Sequence, residues 1–268
     1  MAGKNAPKKI IEKPFIKGAL TDENTVRQSL KFLGILVITS LMTFLVCSLT
    51  SFKSDILRIL INIVIETLVV VIYLDRGAAL GTDAVARGEI VYQHMEKGIE
   101  VSEAEKRIPF HPVKGFVIGF AGSALFLILA VILAVTAQRQ MTGAGVLPSW
   151  LDSYMRRSEI SGALAQYTQS GSVYFADIIR IVVRILIMPF ISLAGAENRT
   201  LLLTIERLSP LFVLIPAISY GSGYLLGTSR RTKIHSEIAE NRRRRVSRER
   251  REKKARISHA PKGPEQLN

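Results

Sequence analysis

Apolar residues in this chain come in long blocks rather than alternating with polar ones. Phe32–Phe52, Gly115–Gln138 and Leu211–Thr228 contain no Asp, Glu, Lys or Arg, and Ile56–Tyr73 contains only Arg58 and Glu66. About 20 apolar residues make a helix as long as the hydrocarbon core of a bilayer is thick, so each block predicts a spanning helix. Val173–Ala196 is a fifth apolar block, but it holds Asp177, Arg180, Arg184 and Pro189. Its uncharged core, Ile185–Ala196, is shorter than a span requires. The expected fold is therefore an all-α integral membrane protein: a polytopic helical bundle with four spanning helices and one interfacial or re-entrant apolar segment, 173–196.

The polar stretches fix the divisions. Residues 1–29 read as a basic, flexible N-terminal arm, with Thr21 or Asp22 placed to cap the first helix. Residues 30–76 form a transmembrane hairpin, turning at Lys53-Ser54-Asp55, with the second span ending at Asp75-Arg76-Gly77. Residues 77–114 form a helical loop: Asp83–Lys97 is amphipathic, Gly98 breaks it, and Ser102-Glu-Ala-Glu105 has capping-box form. Residues 115–228 form a second membrane region, with spans at about 115–138 and 210–228. Trp150 and Tyr154 suit a membrane–water interface, and Ser209-Pro210 suits a helix start. Residues 229–268 are a polybasic tail, helical to about Ser258 because Glu240/Arg244, Glu249/Lys253 and Glu252/Arg256 are spaced i,i+4 with the acid first.

Charge sets the orientation. The net charge is +14, with seven Lys/Arg up to Lys31 and fourteen from Arg230 onward. Positive charge is retained on the cytoplasmic side, so both termini are expected in the cytoplasm of a cell-membrane protein. That requires an even number of crossings, which is why 173–196 is excluded as a full span. Under this topology 77–114 is cytoplasmic as well.

Two intramembrane patterns stand out. Arg58, Asn62 and Glu66 are spaced four apart, within about 80° of one helix face, and a charge in hydrocarbon costs at least ~2.5–3.5 kcal/mol. This face should be covered by other helices, with Arg180 or Arg184 as the expected partner of Glu66 and Asn62 within hydrogen-bonding reach of it. Gly115, Gly119 and Ser123 recur every four residues at the start of the third span, as do Ser219, Gly223 and Gly227 at the end of the last. Small residues at this spacing let helix backbones approach closely, so the two faces are expected to meet in one chain or to form a homo-oligomer contact.

No catalytic signature is present: no HExxH, no Walker A, no GxSxG. The four histidines, His94, His111, His235 and His259, are scattered and read as surface residues rather than metal ligands. Asp75-Arg-Gly77 followed by Asp83-Ala-Val-Ala-Arg87 matches the opening of the CDP-alcohol phosphotransferase motif only in part. The metal-binding aspartates do not follow, so that activity is excluded. The lone cysteine, Cys47, allows neither a disulfide within the chain nor a cysteine metal site. Asn198-Arg-Thr200 matches a glycosylation sequon. No catalytic residue, metal or cofactor is expected.

Three function classes remain. The first is a non-enzymatic membrane protein whose basic termini engage anionic lipid head groups or a cytoplasmic partner, RNA or the ribosome included. Its binding residues would be Arg242, Arg243, Arg244, Arg245, Arg248, Arg250, Arg251, Lys253 and Lys254. The second is a small transporter or channel subunit using the Arg58/Asn62/Glu66 face. The third is a membrane enzyme without a known signature. Another membrane protein is a further possible partner.

Overall fold

The structure is a computed structural model. It describes residues 11–49, 54–137, 157, 175–194 and 198–258, with the side chains of 176, 199 and 254–258 left aside. The first ten residues, the span ends at Phe52 and Gln138, Trp150, Tyr154 and everything after Ser258 lie outside these residues. Every described element is a helix: α1 (Glu23–Leu49), α2 (Asp55–Glu96), α3 (Glu103–Arg107), α4 (Lys114–Thr136), α5 (Phe175–Leu186), α6 (Met188–Ala194), α7 (Arg199–Arg207), α8 (Ser209–Leu225) and α9 (Gly227–Ser258). Four are long and apolar enough to cross a membrane: α1, α2, α4 and the run from α8 into α9. Their outward faces are studded with exposed aliphatics such as Ile38, Leu41, Ile63, Leu68, Ile128 and Val135. A contiguous apolar belt of this kind is foreign to a soluble monomer.

The helices share one polarity rule. α1 and α4 start, and α2 and α8 finish, at the same end of the bundle, here the basal end. Asp22 meets Lys114 there, and Glu89 meets Arg231. α8 is the central helix and packs most extensively on α2 and α4. It runs parallel to α2, with Tyr220 over Gly77 and Tyr224 over Gly81, and antiparallel to α4, with Tyr224 over Gly115 and Ala217 over Gly119. A Cβ on Gly77 or Gly81 would overlap the carbonyl oxygens of Tyr220 and Tyr224, so only glycine permits this approach. That explains a departure from expectation. The helix that carries the second span does not break at Gly77; α2 continues to Glu96. Glycine lowers helix propensity by ~1 kcal/mol, but packing against α8 outweighs that here.

α2 stops as foreseen. Gly98 takes φ +70°, and the amide of Ile99 donates to His94 O at 2.9 Å, a left-handed cap that satisfies the last carbonyls. Glu105 accepts from the Ser102 amide at 3.3 Å and closes the capping box of α3. Part of the arm is docked. Residues 11–22 cross the α2 extension and the α3–α4 loop, with backbone bonds from Ile16 N to Gly88 O (3.2 Å), Gly18 N to Phe110 O (3.0 Å) and Ala19 N to Arg107 O (3.0 Å). Phe15 sits edge-on to Phe110 at 6.2 Å, and Phe110 stacks on Tyr224 at 5.0 Å.

At the distal end the packing differs. α1 and α2 touch little, and α5 and α6 lie between them and α4. α5 is 12 residues and α6 is 7, neither long enough to cross. The chain breaks at Ile187, whose carbonyl accepts from Phe190 N at 3.0 Å, because Pro189 has no amide to continue the α5 ladder. The buried face of α5, Ile179 and Val183 with Ile187 beyond it, packs on Ala130, Leu133, Ile205 and Val213. Phe190 of α6 stacks on Phe212 of α8 at 4.1 Å. α8 begins with Leu208, not Ser209, in the N-cap position. The Ser209 hydroxyl instead donates to Ala130 O at 3.3 Å.

Candidate functional site

Three ionic clusters and one polar cleft carry the chemistry of this molecule. The first cluster is at the base of α1 and α4. Asp22 caps α1 by accepting from Thr25 N at 2.6 Å. Its other oxygen takes the Lys114 ammonium at 2.9 Å, with both side chains buried. Lys114 also donates to Ile108 O at 3.0 Å and Arg107 O at 3.3 Å, so its three protons are all used. Burial raises the Asp22 pKa, but hydrogen bonds from Thr25 and Lys114 outweigh it and hold the carboxyl below its ordinary range.

The second cluster locks α9 to α2. Arg231 grips Glu89 from Nε and Nη2, the shorter bond at 2.7 Å, a bidentate geometry. His235 Nε2 lies 2.7 Å from the other oxygen. His235 is 8% exposed, which corrects its reading as a surface histidine. Burial raises the Glu89 pKa, but the bonds from Arg231 and His235 prevail and lower it. Nothing in the spacing of Glu89 and His235 announced the pair, since the two are 146 residues apart.

The third cluster is distal. Glu206, 1% exposed, is the residue that Arg180 and Arg184 reach, with Arg184 Nε at 2.8 Å and Arg180 Nε at 3.2 Å. Both arginines were expected to turn to Glu66. The i,i+4 pair on α5 instead meets an acid at the end of α7, where Asn198 caps the helix by accepting from Leu201 N at 3.0 Å and so fixes its register.

The expected Arg58/Asn62/Glu66 face is divided. Arg58 pairs with Asp55 at 2.9 Å, at the distal end of α2. Asn62 is buried and bonds Arg58 O at 2.9 Å, and its oxygen receives Cys47 Sγ at 3.5 Å; it does not serve Glu66. Glu66 faces a separate cleft of about 30 Å³, walled by α1, α2, the α5–α6 break and α8, with Thr39, Ser40, Thr43 and Tyr73 on its surface. Among the described residues no ion pair or hydrogen bond reaches the Glu66 carboxylate.

The two small-residue faces are also divided. Gly115 and Gly119 lie against α8, at Tyr224 and Ala217, whereas Gly223 and Gly227 lie against α2, at Leu74 and Gly81. Ser123 and Ser219 are buried and bond their own helices, to Gly119 O at 2.9 Å and Ile215 O at 2.8 Å. The two faces therefore do not meet each other: Gly223 and Gly227 turn to α2, while Gly115 and Gly119 meet the Tyr224 side chain and Ala217. In α9, Arg242, Arg243, Arg244, Arg245, Arg248, Arg250, Arg251 and Lys253 are all exposed, and Arg244 pairs with Glu240 at 2.7 Å. Among the described residues no group of three His, Cys, Asp or Glu is placed to hold a metal ion. Comparison with protein-family models, with characterised proteins and with solved structures gives no match to this chain.

Proposed function

We propose that the chain is a non-enzymatic, multi-pass membrane protein with both ends in the cytoplasm, and that its basic tail engages anionic lipid head groups. The observation that carries this reading is α9. It is fastened at its base by Glu89 to Arg231 and His235, and every side chain from Asn241 to Lys253 is exposed. A helix this basic and this bare presents phosphate-binding groups: among the described residues Arg244 is paired with Glu240, and the other exposed Arg and Lys of 242–253 outnumber Glu249 and Glu252 beside them. Two facts together support this orientation. The docked arm, the α2 extension and α9 share the basal end, and that end carries most of the positive charge. α9 runs along the α2 extension as far as the His235–Glu89 contact, so the basic residues 242–254 reach the leaflet by a bend of the helix beyond that lock. Each Lys or Arg held near an anionic surface contributes about 1 kcal/mol.

The test is trypsin digestion of the full chain in proteoliposomes. With anionic lipid at low salt, cleavage in 242–254 should slow markedly relative to neutral lipid, and high salt should abolish the difference. Equal cleavage in both lipids overturns the reading, and protection by added RNA instead would assign the tail to nucleic acid. A transport or channel subunit is the second reading. It is favoured by the cleft at Glu66, where Pro189 and Phe190 reach the middle of the α2 apolar stretch, as a re-entrant segment would. Solute flux in the same proteoliposomes tests it.

A further inference from the structure

We infer that the cleft at Glu66 is a binding site for a single dehydrated monovalent cation of sodium size, in competition with a proton. The argument begins with the direction of the hydroxyl hydrogens. Thr39 donates to Ile35 O at 2.8 Å, Ser40 to Leu36 O at 2.7 Å and Thr43 to Ser40 O at 2.9 Å. With the Thr39 hydrogen committed, Tyr73, whose oxygen is 2.5 Å from Thr39 Oγ1, is the donor of that pair. All four hydroxyl oxygens that line the cleft with Glu66 are thereby left as acceptors.

The main chain adds to this. Pro216, in the wall of the cleft and inside α8, has no amide to give the carbonyl of Phe212, and Pro189 has none to give Ile185. Broken helices buried among other helices are where membrane proteins can keep unpaired carbonyls, and such carbonyls suit cations. A carboxylate among acceptors in an apolar surround requires a positive partner. Asp55 and Glu206 hold the nearby arginines elsewhere.

Charge and size define the ligand. Among the described residues on the wall of the cleft Glu66 is the only carboxylate and none is Lys, Arg or His, so one positive charge balances it, whereas a divalent ion would leave a net charge in hydrocarbon. The ligand atoms are all hard oxygens, which select an alkali cation over a transition metal. A volume of about 30 Å³ holds roughly one or two water-sized occupants, too few for a hydrated ion or an organic solute. When the cation enters, the proton leaves to water, and the net charge of the site is unchanged. The inference rests on the four helices crossing the membrane and is independent of the tail, so retention in liposomes after an alkaline carbonate wash checks that premise separately.

The experiment is equilibrium binding of radioactive sodium to the full chain in nanodiscs. Wild type should bind about one ion, more tightly at pH 8 than at pH 6 by about tenfold or more, because the ligand must be deprotonated. Glu66→Gln should abolish binding. Thr39→Val keeps the shape, removes one acceptor and should weaken binding about tenfold, which keeps the test open if Glu66→Gln does not fold. Absence of saturable sodium binding at pH 8, or binding that survives in folded Glu66→Gln or is unchanged in Thr39→Val, overturns the inference.

Discussion

The basal and distal halves of this bundle solve the same problem differently. In the basal half helices meet backbone to backbone through Gly77, Gly81, Gly119, Gly223 and Gly227, with Gly115 under the Tyr224 side chain, and its two buried acids, Asp22 and Glu89, each have a cation within 2.9 Å. In the distal half a broken helical pair packs against α1, α2 and α4, and while the buried Glu206 is held by Arg184, Glu66 faces hydroxyls rather than a cation. Close helix contact leaves no volume for a ligand, whereas a Pro-broken wedge leaves volume and carbonyls that lack their helical donor. The comparison therefore assigns rigidity to one half and ligand chemistry to the other.

The largest effect should come from attacking the basal contact. Gly81→Leu drives a side chain into the Tyr224 carbonyl, with no flexible neighbour to yield, and should lower stability by more than about 3 kcal/mol or prevent folding. Gly34, where an added Cβ meets nothing within 4 Å, is the control. Gly34→Ala should be neutral or stabilising by up to about 1 kcal/mol. Thermal unfolding in detergent reads both, and equal losses would remove the distinction between packed and open glycines.

Next comes the Asp22–Lys114 pair. Lys114→Met strands a buried carboxylate and should cost about 3–5 kcal/mol, whereas Lys114→Met with Asp22→Asn should recover a large part. Chemical denaturation of the three proteins measures it, and a double variant no better than the single would mean that Asp22 is not held by charge.

The smallest effect is the pH response of the α2–α9 lock. The folded pKa of Glu89 is lowered, so its contribution is fully present above the ordinary carboxylate range and is lost as pH falls through the lowered folded value. Arg231 and His235 face it, with Glu12 and Lys13 of the arm nearby. Between pH 7 and pH 3 the melting temperature of wild type should fall more than that of Glu89→Gln, which starts lower. Parallel curves would show that the lock does not titrate.

Much of the architecture was legible in the chain because it depends on composition over whole segments. Four apolar blocks became four helices long enough to span, and the charged, Pro-containing block became two helices too short to do so. The cap at Gly98 and the capping box at Ser102 follow from local backbone chemistry and were also legible. The helical tail to Ser258 followed from i,i+4 charge order.

What the sequence by itself determined is thus what one helix can decide alone: that it forms, the local caps at Gly98 and Ser102, and which residues share a face. Tertiary structure decided every pairing. Arg180 and Arg184 found Glu206 and not Glu66, His235 found Glu89, and Gly223 and Gly227 turned to α2 and not to the small face of α4. The physical reason is that a helix repeats every 3.6 residues regardless of its neighbours, so a face is local information. The azimuth at which two helices meet depends on how the whole bundle closes around residues far apart in the chain.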